Sequence, residues 1–157
     1  MIEMPKEGNA APEFTGITGE GKEVRLADYR GKWVVLYFYP GDDTPGCTAE
    51  ACSLRDFHPA LKEVNAEVVG ISPNTIASHE KFSKKYGLPF TLIADPEKKI
   101  STEYGVYGEK ILYGKVSLGI KRTTFLIDPE GIVRKVFSKV NTATHGQEVL
   151  AALKEIA

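Results

Sequence analysis

This sequence predicts an α/β fold, a central β-sheet with helices on its faces and a β-hairpin at its start, and three observations carry the prediction. Trp33 to Tyr39 is an unbroken apolar, β-branched and aromatic run of the kind buried on both faces of a sheet. Shorter runs of similar character recur at Glu67–Ser72, Thr91–Ala94 and Thr123–Ile127, with helix-like stretches before and after. A chain of 157 residues with 42% hydrophobic side chains suits one domain, spanning 1–157 and burying about two thirds of its unfolded surface.

The elements follow in order. Gly8 and Pro12 mark an extended lead-in to a hairpin that turns at Gly19, Glu20 and Gly21, with Glu23–Leu26 as its second strand. After the strand Trp33–Tyr39 comes a helix carrying both cysteines, in which Pro59 is expected to kink or end the helix near His58. Residues 75–86 read as a helix stopped by Gly87, with Pro89 beyond it. Pro96–Tyr104 reads as a short helix ended by Gly105. A connection punctuated by Gly105, Gly108, Gly114 and Gly119 leads to strands Thr123–Ile127 and Ile132–Phe137, joined by the turn signal Asp128-Pro-Glu-Gly131. Val149, Leu150, Leu153 and Ile156 give the last helix one apolar face. No repeat or linker divides the chain.

Composition excludes several functions. Twenty basic and 21 acidic residues are interspersed, so no basic field addresses nucleic acid or an anionic membrane, and a small, roughly neutral partner is expected. No signal-like segment opens the chain and no apolar run is long enough to span a bilayer, so a soluble, cytoplasmic protein is expected. Two cysteines are too few for a disulfide-stapled scaffold; a close pair in a reducing compartment points to catalysis or metal binding.

The chemistry centres on residues 40–52. Thr44 suits a helix N-cap, Pro45 the first helical position, and Gly46 a close backbone approach, which leaves Cys47 in the first turn among unpaired N–H groups. A helix start favours negative charge by about 0.3 to 1 kcal/mol, less than an active thiolate requires. A nearby cation is therefore expected, the more so because Glu50 lies one turn on; Arg122 and Arg55 are the candidates. At about 100° per residue, Cys47, Ala51, Leu54, Phe57, Leu61 and Val64 form one apolar stripe while Cys52 lies about 140° away among Thr48, Arg55 and Asp56. Residues five apart in a helix have Cα atoms roughly 8 to 9 Å apart. A disulfide accepts no more than roughly 7 Å. If these thiols bond, the first turns must unwind.

The string Tyr37-Phe-Tyr-Pro-Gly-Asp-Asp-Thr-Pro-Gly-Cys-Thr-Ala-Glu-Ala-Cys52 resembles the active-site signature of the peroxiredoxins, in particular the bacterioferritin comigratory protein or peroxiredoxin Q group. Ala11-Pro-Glu-Phe14, Val69-Gly-Ile-Ser72, Phe90-Thr-Leu-Ile-Ala-Asp95 and Arg122-Thr-Thr-Phe-Leu-Ile-Asp128 extend the likeness over nearly the whole chain; Gly41, where relatives often carry a charge, departs from it. The resemblance implies a thioredoxin-like fold with a central mixed sheet, and a thiol peroxidase that reduces hydrogen peroxide and organic hydroperoxides with no metal or bound cofactor. Cys47 would be the peroxidatic and Cys52 the resolving cysteine of an intramolecular disulfide, re-reduced by thioredoxin or a similar dithiol. Thr44, Arg122 and the Cys47 N–H would serve the peroxide, with Pro40 shielding the thiol. A monomer or weak dimer is implied.

Other residues read more simply. Glu50 and Arg55 are expected in helix-surface pairs, and Thr44 as a cap whatever else it does. His58, His79 and His145 are scattered; His58 could join the cysteines at a metal, yet no closed four-ligand set is visible. Trp33, Phe38 and Phe125 read as core. Two rival functions remain: a thioredoxin-type thiol-disulfide oxidoreductase, whose cysteines would sit closer together, and a non-enzymatic peroxide sensor that reports by unwinding.

Overall fold

The computed structural model describes residues 2–157. In chain order it forms β1 (Thr15–Thr18), β2 (Glu23–Arg25), a 3-10 turn (Leu26–Tyr29), β3 (Trp33–Phe38), α1 (Pro45–Glu63), β4 (Ala66–Ser72), α2 (Ile76–Tyr86), β5 (Thr91–Ala94), α3 (Lys99–Glu103), β6 (Tyr107–Leu112), β7 (Lys115–Ile120), β8 (Thr123–Ile127), β9 (Val133–Phe137) and α4 (His145–Ile156). Seven strands make one mixed sheet in the order β2-β1-β5-β4-β3-β8-β9, parallel across β5-β4-β3 and antiparallel elsewhere. The expected lead-in lies along β9, where Gly8 and Ala11 donate to the Val133 and Gly131 carbonyls.

The apolar run of β3 resolves into two stripes, because alternate side chains face opposite sides of a strand. Trp33, Val35, Tyr37 and Tyr39 pack against Ala51, Leu54 and Leu61 of α1, Phe82 of α2, and Val149 and Leu153 of α4. Val34, Leu36 and Phe38 pack on the other face with Phe14, Phe125, Ile127 and Ile100 of α3. Thr75 caps α2, its hydroxyl accepting the Ser78 N–H at 3.1 Å, and Gly87 ends that helix in the left-handed region at φ 60°.

Three expectations fail, each for a physical reason. The glycine-punctuated connection is a hairpin, β6-β7, turned at Tyr113 (φ 53°) and Gly114 (φ 75°) and paired only with itself. Ile111, Val116 and Leu118 stand exposed on it, so the burial pattern that betrays a strand is absent. Pro59 does not end α1, which continues to Glu63. Leu54 and Leu61, both fully buried, anchor the turns on either side, while Pro59 faces solvent. The short third helix begins at Lys99, not Pro96, where the buried Asp95 carboxylate accepts the Ile100 and Ser101 N–H groups at 3.2 and 2.9 Å.

The register of the sheet prepares the site. Phe38, the last residue of β3, pairs with Thr123, the first of β8, so Arg122 stands beside the carboxyl end of β3, from which the chain runs through Pro40 into α1. Among the described residues no helix is long and apolar enough to cross a membrane.

Candidate active site

The segment 40–47 is a short loop feeding a helix. Pro40 is half-buried, Asp43 sits in the left-handed region at φ 58°, and Thr44 takes the N-cap position with extended dihedrals. Pro45 and Gly46 follow, which puts Cys47 at the third helical position, 1% exposed, with the helix closing from Thr48 N–H onto the Thr44 carbonyl at 2.8 Å. Thr44 is not the side-chain cap its type suggests: its exposed hydroxyl donates to the Gly41 carbonyl at 3.2 Å. The N–H groups of the first turn are thus left without that acceptor.

Arg122 supplies the cation. Its Nη2 lies 3.4 Å from Cys47 Sγ and its Nη1 donates to Glu50 Oε1 at 2.7 Å, so one guanidinium bridges the thiol and a carboxylate one turn further along α1. Gly46 makes room for it, since a Cβ there would stand 3.2 Å from Nη2. Glu50 corrects the sequence reading: it is wholly buried, not a surface residue, while Arg55 pairs with Asp56 at 3.0 Å and donates to the Tyr86 carbonyl at 2.8 Å. Of the two candidate arginines, only Arg122 contacts the thiol. Cys52 is half-buried, and both thiols are free.

Behind the arginine lies a buried polar layer. Burial pushes Glu50 up to about 7 against the opposing pull of Arg122, and Glu50 Oε2 has no hydrogen-bond partner among the described residues, with His145 Nε2 3.8 Å away. His145, also fully buried, meets Thr124 Oγ1 at 2.8 Å; burial and then the charge of Arg122 pull it down to about 4, so it stays neutral near pH 7. The Tyr37 hydroxyl, buried near Glu50 and without a partner among the described residues, is held well above the usual phenol range by burial first and then by Glu50 and Cys47. From the hairpin, burial and then Arg122 hold Lys110 below the usual lysine range. Sequence reasoning missed Glu50, His145 and Tyr37. Only Glu50 left a signal, as a carboxylate one turn after the cysteine on the side that Arg122 reaches.

The structure therefore gathers Cys47 and Arg122 at the end of β3, with Pro40 and Thr44 in the loop between, and leaves Cys52 further along the intact helix. His58 and His79 are also buried, and among the described residues no three His, Cys, Asp or Glu side chains gather as a metal site.

The pattern of the AhpC/TSA family matches residues 8–136. A bcp peroxiredoxin of Coxiella burnetii is 47% identical over 146 residues, covering 93% of this chain and 97% of that one. Peroxiredoxin Bcp of Bacillus subtilis is 44% identical over 150 residues, covering 96% of each. The structure of the Xanthomonas campestris bacterioferritin comigratory protein, solved to study its alkyl peroxide reduction, superposes with a TM-score of 0.86 at 38% identity over 91% of both chains. A cysteine at the first turn of a helix that follows a central strand, met by an arginine just ahead of the neighbouring strand, is thus found in a chain that belongs to the AhpC/TSA family, within its bcp or peroxiredoxin Q group.

Proposed function

We propose that this protein reduces hydrogen peroxide and organic hydroperoxides through Cys47 and Cys52. The Cys47 thiolate attacks one peroxide oxygen; an S–O bond forms as the O–O bond breaks, the sulfur loses two electrons, and the departing alkoxide or hydroxide takes a proton to leave as alcohol or water. The Arg122 guanidinium, the Cys47 N–H and the Thr44 hydroxyl are the groups available to hold that developing negative charge, with Pro40 shaping the approach. The Cys52 sulfur then displaces water from the Cys47 sulfenic acid to give a disulfide, which a thioredoxin-type dithiol reduces. The single observation that best supports this reading is the Arg122 Nη2 to Cys47 Sγ contact at 3.4 Å at the start of α1. We take the chain to act as one domain, a monomer or weak dimer, in the cytoplasm.

Peroxide consumption with a thioredoxin system tests it. Catalytic turnover is expected from the wild type and none from Cys47→Ser, whereas Cys52→Ser should accumulate a sulfenic acid that dimedone labels at Cys47. A wild-type protein that oxidises only once, or reduces insulin disulfides faster than peroxide, would contradict the proposal.

A further inference from the structure

The loop between Pro40 and Thr44 is fastened by a second buried polar cluster, outside the groups assigned above. Asp42 turns its carboxylate inward, 4% exposed, against the wholly buried His79 of α2. Its Oδ2 lies 2.7 Å from His79 Nδ1 and accepts from Ser78 Oγ at 2.7 Å; its Oδ1 accepts the Tyr39 hydroxyl at 2.7 Å. Its backbone N–H donates to Asn74 Oδ1 at 2.9 Å. His79 Nε2 lies 3.0 Å from the Ile93 carbonyl, which can only accept, so the ring is held between that carbonyl on one side and the Asp42 carboxylate on the other. Burial pushes the Asp42 carboxyl up, yet the bonds from His79, Tyr39 and Ser78 outweigh it and leave Asp42 below the usual carboxylate range. Gly19 lets the β1-β2 turn approach α2 at His79, since a Cβ there would stand 3.2 Å from both His79 Cβ and the Glu80 backbone nitrogen.

Tyr39 directly follows β3, Asn74 lies in the turn between β4 and α2, Ser78 and His79 are on α2 and Ile93 is on β5, while Asp42 itself lies two residues after Pro40 and two before Thr44. A loop this short, with one residue already at positive φ, shifts as a unit when its central anchor is lost. We propose that His79, acting through Asp42, is a positioning residue for the peroxide step: it sets the loop that presents Thr44 and the start of α1, and it holds that loop against the opening that disulfide formation requires. The inference rests on the peroxidase reading above.

Rapid mixing of the reduced protein with peroxide, quenched and read by mass spectrometry, separates sulfenic acid formation from disulfide formation. Two polar variants divide the histidine's contacts: His79→Asn keeps a donor toward Asp42, and His79→Gln keeps one toward Ile93 but none for Asp42. Expected for His79→Gln is an about tenfold slower first step with a second step faster by about threefold, while His79→Asn stays within about twofold of wild type in both. Val133→Ala, a cavity in the other core at the far end of β9, should leave both steps unchanged at a comparable loss of stability. Equal effects of Asn and Gln, or slowing of both steps together in Gln and in Val133→Ala alike, would overturn the inference while leaving the peroxidase reading intact. A wild type that forms no sulfenic acid would overturn both.

Discussion

The two ends of α1 are held by different forces. From Leu54 onward the helix is fastened by apolar burial: Leu54 and Leu61 are fully buried and Phe57 packs partly against the same core. Its first turns carry small or polar residues, Gly46, Cys47, Glu50, Ala51 and Cys52; Cys47 and Ala51 reach the same core with short side chains, and the other ties are polar or charged: Arg122 to Cys47 and Glu50, and just upstream Asp43 to Lys85 and the Tyr86 hydroxyl, both at 2.7 Å. Ser53 marks the boundary, its hydroxyl accepting the Gly146 N–H at 2.8 Å and so pinning α1 to α4. Apolar burial resists unwinding in proportion to area, whereas a few polar contacts are exchanged for water at little net cost. The difference teaches where the helix can open: before Ser53, in the segment that holds both thiols.

Breaking the apolar end should cost most. Leu54→Ala removes a fully buried side chain, and a loss of about 3 kcal/mol in a denaturant titration is expected. A loss below about 1 kcal/mol would mean that the helix is not anchored there. At the charged end, Arg122→Met should lower the second-order rate of sulfenic acid formation by about a hundredfold. An unchanged rate would remove Arg122 from the chemistry.

Glu50 gives a pH test of the same end. Its folded value near 7 lies above its ordinary 4.5, so between those values the native state holds more protons than the unfolded one, and the Glu50 contribution to stability falls as pH rises through that window. Glu50→Gln does not titrate and lacks this pH dependence. The variant should therefore gain on the wild type by on the order of 2 kcal/mol between about pH 5 and pH 7. His145, pulled down to about 4, contributes the opposite slope below its ordinary 6.5 in both proteins. Thermal unfolding at several pH values checks this, and a pH-independent difference would contradict it. The smallest expected effect is that of Ala51→Gly, which should lower stability by about 1 kcal/mol and speed disulfide formation rather than peroxide attack; a slower disulfide step would argue that the first turns stay wound.

Much of this was legible in the sequence, wherever a local pattern decides the outcome. The buried run of β3, the β8-β9 turn at Asp128–Gly131, and the division of α1 into an inward Cys47 and a more exposed Cys52 all follow from spacing alone. What stayed hidden depends on partners distant in sequence. Glu50 is buried because Arg122, 72 residues away, meets it, and His79 is fixed by Asp42, 37 residues before it. Pro59 is tolerated because the core on both sides of it outweighs one missing helical hydrogen bond. The β6-β7 hairpin was hidden because Ile111, Val116 and Leu118 stand outward and, among the described residues, only Ile120, at its end, is buried.

The claim that the charged start of α1 must open while its apolar end stays packed is tested most directly by hydrogen exchange on the reduced and the disulfide forms. Amides of residues 47–52 should lose protection on oxidation while those of 54–63 retain it. Equal protection of 47–52 in the two forms would contradict the account.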